Sequence, residues 1–420
     1  MTKPKLTELL SEFRNRLIEF GENSEGNRRK ALAALYEDFG KKSVVEIACG
    51  TELINSHIHT NHSWSLFKSP SEAVWCAYRL GIHYYCISDH FNMNGYPEFV
   101  TACETVDIHA LTGMEAVVID AKTQESGELW NDPSNAGRIY FCMIGTRREV
   151  TDPDIAIRWN CLRAKLVERV KAMLELYNKA VEERDLGDYA LTMEQIVGLG
   201  QPDGTITERH MAELMWNKLS TESDDDTVAW LRKMDFDPDE SKVKDPVYMQ
   251  NLLRGIFKQG GLAFVAEDPS IYFSLEQAVE LAEDIGAIAC YPILIKPVTS
   301  IEEDLDALAE SLWSRRIYAI QLIESRTDVE TMERVLHKFH DRGFLVSVGT
   351  EHNTPDPELP LVTPEKVGHP EVNPLLVESA KITMLHQSRA IGNGYVETLS
   401  KAGDNPTCED AKRIQAEFLG

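Results

Sequence analysis

His57 and His59 stand one residue apart at the end of the segment ELINSHIHT. In an extended strand residues i and i+2 point to the same face, so this spacing sets two imidazoles side by side. Such a pair can hold one divalent cation or two adjacent ones. The same kind of side chain recurs beyond other apolar runs: Asp89-His90 after YYCIS, Glu115 after ALTG, and Glu351-His352 after FLVSVGT. Taken singly, each of these also fits a helix N-cap or a polar loop residue. Together they place metal-capable groups at four strand exits, which a barrel would bring to one point. A cation held there would lower the pKa of bound water and polarise a carbonyl or phosphoryl oxygen.

The elements that must position these residues follow from periodicity. Leu6 to Phe39 predicts two helices, with a break at Gly21–Ser24. Strands are expected over Glu52–Ile58, Tyr84–Ser88, Ala110–Ile119 and Arg138–Ile144, with a helix over Ser71–Leu80. Asp154–Arg184 predicts one long helix, and helical segments continue to about Lys258. Alternation resumes with strands over Gly261–Ala266, Ala287–Leu294, Ala319–Glu324 and Leu345–Gly349, separated by helices over Leu275–Ile285, Ile301–Ser314 and Val329–Arg342. This order predicts an α/β fold of seven or eight parallel strands joined by right-handed crossovers and closed into a barrel. The expected organisation is a helical extension over 1–45, a first half-barrel over 46–150, a helical insertion over 151–258, a second half-barrel over 259–400 and a tail over 401–420.

At its polar strand exits the chain resembles the PHP family, named for polymerase and histidinol phosphatase. Ser56-His57-Ile58-His59-Thr60 with Ser63, Ile87-Ser88-Asp89-His90 with Gly95, Thr112-Gly113-Met114-Glu115 and Gly349-Thr350-Glu351-His352-Asn353 are similar to its motifs. The resemblance implies a distorted seven-stranded β/α barrel with up to three divalent metals that hydrolyse phosphoesters. It also implies His57, His59, His90, Glu115 and Glu351 as metal ligands, with His352 one residue early for the last motif. Four positions depart from the pattern. Trp64 stands where a carboxylate is usual, Cys142 and Tyr291 where histidines are, and Asn353 where the final histidine is. Cys142 as a thiolate could still ligate zinc, or it could simply pack. The altered set predicts one or two divalent ions (Zn, Mn or Fe) instead of three.

An anionic substrate also needs a cation or polar contacts. Arg326 and Lys296 near strand exits are the candidates placed in catalysis, together with Asp89, as orienter of His90 or proton acceptor, and His210 near the start of ITERHMAELM. His62, Arg138 and Tyr291 are candidate substrate contacts, and Arg209 is a further candidate for a phosphate. The polar segment Asp120–Gly137 reads as a loop at the site mouth.

Composition narrows the partners. With 43 Lys+Arg against 68 Asp+Glu the formal charge is −25, which disfavours a nucleic-acid backbone as ligand. No run approaches the roughly 18 apolar residues of a membrane span, and the N-terminus lacks a secretory pattern. Eight cysteines without CxxC spacing fit reduced thiols in the cytoplasm. The expected activity is metal-dependent hydrolysis of a small phosphorylated metabolite, in carbohydrate metabolism or nearby. A mononuclear isomerase, lactonase or lyase acting on a sugar or sugar acid is the alternative, and a metal-free binding module the second. A homo-oligomer is compatible with the sequence.

Overall fold

A computed structural model describes residues 4–39, 51–201, 203–403 and 406–420. Seven strands form a nearly closed barrel: β1 (Leu53–Ile58), β2 (Ile82–His90), β3 (His109–Ile119), β4 (Arg138–Ile144), then, after a two-residue β5 (Phe273–Ser274), β6 (Ile288–Ile293), β7 (Ala319–Ile323) and β8 (Leu345–Gly349). The ring order is β1-β2-β3-β4-β6-β7-β8, with β5 paired to the end of β3 outside it. Closure comes from an isolated parallel bridge between Ile58 and Glu351. There the backbone N–H of His59 donates to Glu351 O (2.9 Å) and that of Glu351 to His57 O (2.9 Å).

Two expectations are corrected. β4 is antiparallel to both β3 and β6. The segment joining β3 to β4 contains only the six-residue helix Ala121–Ser126, too short for a parallel crossover, so the chain turns straight back. Gly261–Ala266 forms no strand. A Cβ on Gly261 would lie 2.2 Å from Gly255 O, so this segment folds tightly against the inserted helices, where Ala263 is buried.

The strands are buried on both faces, as their near-continuous Val, Ile, Leu and Tyr content requires. Helices Pro70–Arg79, Leu275–Asp284, Leu305–Ser314 and Val329–His340 cover the outside. Ser69, Ser274, Asp304 and Asp328 cap them by accepting from first-turn N–H groups. The N-terminal helices Leu6–Phe20 and Glu25–Phe39 dock through Leu9, Leu10 and Phe13. Arg28 adds a buried ion pair with Glu98, its Nε 2.9 Å from Oε1. The boundary expected at 45/46 lies outside the described residues.

Helix Pro153–Glu183 starts beside the barrel foot, where Asp284 accepts from Thr151 N (2.8 Å). Trp159 and Leu162 join the barrel core, whereas Val170, Met173, Tyr177 and Val181 join a second core made by the inserted helices. The helices between Met193 and Phe257 build the rest of that second core, and helix Cys408–Leu419 seals the barrel foot with Ala411, Ile414 and Phe418. No described helix is long and apolar enough to cross a membrane.

Candidate metal centre

β1, β2 and β3 bring four candidate ligands together. His57 Nε2 lies 3.2 Å from His59 Nε2, and both face Glu115 Oε2 at 3.3 and 3.1 Å. His90 Nδ1 is 3.4 Å from the same oxygen, its ring 4.3 Å from that of His59. His57, His59 and Glu115 are buried; the His90 side chain is the most exposed of the four, at 18%.

The opposite edge of each β1 imidazole is tied off. His57 Nδ1 donates to Gln321 Oε1 (2.6 Å), and Gln321 Nε2 in turn donates to Ser56 O (3.1 Å) and Ser347 Oγ (3.3 Å). His59 Nδ1 lies 3.3 Å from Ser63 Oγ, whose proton goes to Asp89 Oδ1 (2.6 Å). These bonds select the tautomers that leave both Nε2 lone pairs aimed at Glu115. Three acceptors then converge with no donor between them, which is the arrangement a cation resolves. The donor chemistry therefore fits a divalent metal, with His57, His59 and Glu115 as its core.

Electrostatics keeps most of the set in the ligating form. Burial pushes the carboxyl of Glu115 up, but His90, His57 and His59 around it hold it well below the usual carboxylate range. Burial lowers His59, and lowers His90 to about 4, so both imidazoles are neutral near pH 7. His57 moves the other way. Burial lowers it too, yet Cys142 and Glu115 beside it raise it well above the ordinary value. The Cys142 thiol is itself pushed up to about 12 by burial and stays neutral, so Glu115 is the partner that counts. A proton on His57 is what this cage takes up in place of a cation.

The remaining candidates fall elsewhere. Asp89 faces Thr60 and Ser63, accepting from Thr60 N (2.7 Å), Thr60 Oγ1 (2.6 Å) and Ser63 Oγ, so it holds the loop after β1 and does not orient His90. Cys142 Sγ sits 3.7 Å from His57 Nδ1, the ring edge facing away from Glu115, so a cation on Nε2 is out of its reach. Glu351 and His352 both have left-handed backbones (φ 65° and 54°), a turn that sends them in opposite directions. Glu351 stays at the rim near Asn353 Nδ2 (3.4 Å) and Arg326 (3.9 Å). His352 turns inward, with Nδ1 on Thr350 Oγ1 (2.8 Å) and Nε2 on Leu359 O (3.3 Å), and has no nitrogen left for a metal.

Tyr291 also points away. It is fully buried, with its hydroxyl on Glu302 Oε1 (3.2 Å) and its ring against Trp130. The register explains this, because Pro292 pairs with Gln321, and Gln321 faces the site. His62 packs on Gly95, and His210 caps its own helix by accepting from Thr207 N (3.2 Å) beside Gly200. Lys296 is 66% exposed and 3.8 Å from Asp328. Arg138 is neutralised by Asp132 (2.6 Å) and Glu267 (3.3 Å), with its guanidinium 5.0 Å from the Tyr140 ring.

Sequence reasoning missed Gln321. The available signal was a long amide in the middle of an otherwise apolar strand, AIQLI, where a buried polar group needs a reason. Gly349 is a second missed position. A Cβ there would lie 2.3 Å from His57 Cβ, so β8 can approach the metal strand only as glycine.

Residues 55–196 match the family model of the PHP domain, a span that runs from Asn55, beside the first metal-site histidine, into the inserted helices. Over these residues the chain is similar to the PHP domain. The match agrees with the resemblance of its motifs. A search of the curated proteins finds no match for the sequence. Two solved structures are similar. One, from Bifidobacterium adolescentis and assigned as a metal-dependent phosphoesterase, has 16% identity and a TM-score of 0.48 over 77% of this chain and 96% of its own. The other, an amidohydrolase from Chromobacterium violaceum with bound sulfate and no metal, has 17% identity and a TM-score of 0.49 over 73% of this chain and 89% of its own. At such values neither bears on the reaction.

Proposed function

We propose that this protein hydrolyses a phosphoester of a small anionic metabolite in the cytoplasm, using one or two divalent cations. The observation that supports it is the convergence of His57 Nε2, His59 Nε2 and Glu115 Oε2 with every opposing ring nitrogen already bonded. His57, His59, Glu115 and His90 would hold the metal, which would supply an activated water and neutralise charge on the phosphoryl group. Ser63 and Asp89 lock the plane of His59, and Gln321 locks that of His57. His90 and Glu351, at the rim, face the incoming substrate. Burial of the cage excludes bulk water, which strengthens each charge inside it.

A second reading rests on the far half of the ring. Cys142 and Gln321 stand on the back of His57, and His352 faces inward, which favours a single cation and hence carbonyl chemistry on a sugar or sugar acid. Metal stoichiometry by elemental analysis separates the two. Two equivalents with phosphate release from sugar or nucleotide phosphates support the hydrolase. One equivalent with no phosphate released from any of them supports isomerase, lactonase or lyase chemistry. No metal in folded protein supplied with zinc, manganese and iron rejects both in favour of a binding module.

A further inference from the structure

Arg209 reaches the loops after β1 and β8 from outside the barrel. It lies in the first turn of helix Glu208–Leu219, within the inserted region, and donates from Nη1 to Asn353 O in the loop after β8. Its guanidinium lies 5.6 Å from the Trp64 ring centroid, on the loop after β1. The Asn353 it meets donates from Nδ2 to Glu351 at the rim (3.4 Å).

Its neighbours fix it there. Gln250 Nε2 donates to Arg209 O (3.1 Å), and Trp64 Nε1 and Lys68 Nζ donate to Glu213 one turn on (2.7 and 2.6 Å). Just before the helix, Thr205 Oγ1 donates to His90 O (2.6 Å) and Thr205 N to His62 O (2.7 Å). The inserted region is thus stitched to the two loops that carry the ligands.

Of the three arginines considered for the site, Arg209 is the one without a carboxylate in ion-pair contact. The adjacent Glu208 is taken by Arg254 at 3.0 and 2.8 Å. Arg138 has two carboxylates and Arg326 has Glu351, whereas Arg209 forms no ion pair among the described residues. A half-buried guanidinium without an anion carries a desolvation cost that an anionic ligand offsets. Its planar fork suits two oxygens of one oxyanion.

We propose that Arg209 is a specificity-determining residue of this site and binds a phosphate oxyanion of the substrate. This rests on the reading of the cage as a metal centre and adds the group that selects the ligand. The inserted helices then serve as the arm that carries this cation over the barrel mouth.

Calorimetric titration of inorganic phosphate into zinc-loaded protein tests it. Arg209→Met is expected to weaken phosphate by about ten-fold or more, the loss of a charge-assisted bond, with zinc content and melting temperature unchanged. Arg209→Lys, which keeps the charge and loses the fork, should fall between, and it decides the matter if the methionine variant does not fold. Equal phosphate affinity in wild type and variant overturns the proposal, as does a wild type that binds no phosphate. If wild type takes up no zinc but still binds phosphate through Arg209, the metal reading falls and this one stands. Normal zinc binding with no effect of Arg209→Met gives the reverse.

Discussion

The two halves of the barrel ring meet the same cavity with different chemistry. β1, β2 and β3 present lone pairs and a carboxylate that point at one another. β4, β6, β7 and β8 present a neutral thiol, a proline, an amide and a glycine at the positions facing them. On our proposal the first half would hold the ion, while the second half fixes His57 through Gln321. Ligand loss from one side of a polynuclear site need not empty it, provided the vacated side takes over orientation.

Substitutions can break that contrast, and the largest effects belong to the first half. His59→Ala or Glu115→Ala should abolish metal uptake and any hydrolysis, measured by elemental analysis and phosphate release, with the fold intact by circular dichroism. Retained stoichiometric metal in either variant would show that the cage is not the centre. Asp89→Asn comes next. It removes the charge that anchors Thr60 and Ser63, and metal affinity in a chelator competition should fall roughly 10- to 100-fold.

Gln321→Leu tests the orienting half, with an expected weakening of about ten-fold. Gln321→Glu keeps an acceptor for His57 Nδ1 and should restore much of it, a rescue that a packing role would not give. Cys142→Ala should leave metal stoichiometry unchanged and cost about 1–2 kcal/mol in urea unfolding, as a small buried truncation. Loss of metal there would make the thiol a ligand.

Acidification sharpens the contrast further. His90, His210, His352 and His386 each fall from 6.5 to about 4 through burial. Below pH 6.5 the unfolded chain takes up protons that the folded chain refuses, so stability drops as pH falls towards 4. Each histidine contributes up to about 1.4 kcal/mol per pH unit. Among these four, bound metal should deepen only the share of His90, alongside that of the ligands His57 and His59, and urea melts with and without zinc at pH 7 and 5 would show it.

Much of this was legible in the chain. Short continuous apolar runs located the ring strands within a few residues, and the His-x-His spacing named the pair that β1 presents. What was not legible depends on register and on turns. Whether Tyr291 or its neighbours faces inward is set by the pairing of Pro292 with Gln321, which no local motif encodes. The contact between His57 and Gln321 spans 264 residues of sequence. The inward turn of His352 needs two successive left-handed residues, neither of them glycine. The direction of β4 followed from what the connection before it lacks, a full crossover helix, and that was passed over in favour of the regular alternation elsewhere.

The reversal of β4 reaches beyond the ring. A strand running downward ends at the foot, and here the chain climbs to the rim, where β5 pairs with the end of β3, before β6 starts upward again. Helix Pro153–Glu183 makes that climb: 31 residues, about 46 Å, begun against the barrel wall and finished inside the second core. A rod of this kind transmits phase as well as height. Adding or deleting one residue near its middle would turn the half beyond by about 100° while leaving the barrel below unchanged. The angular setting of the helices beyond it, Glu208–Leu219 with Arg209 among them, is therefore written into the length of that rod.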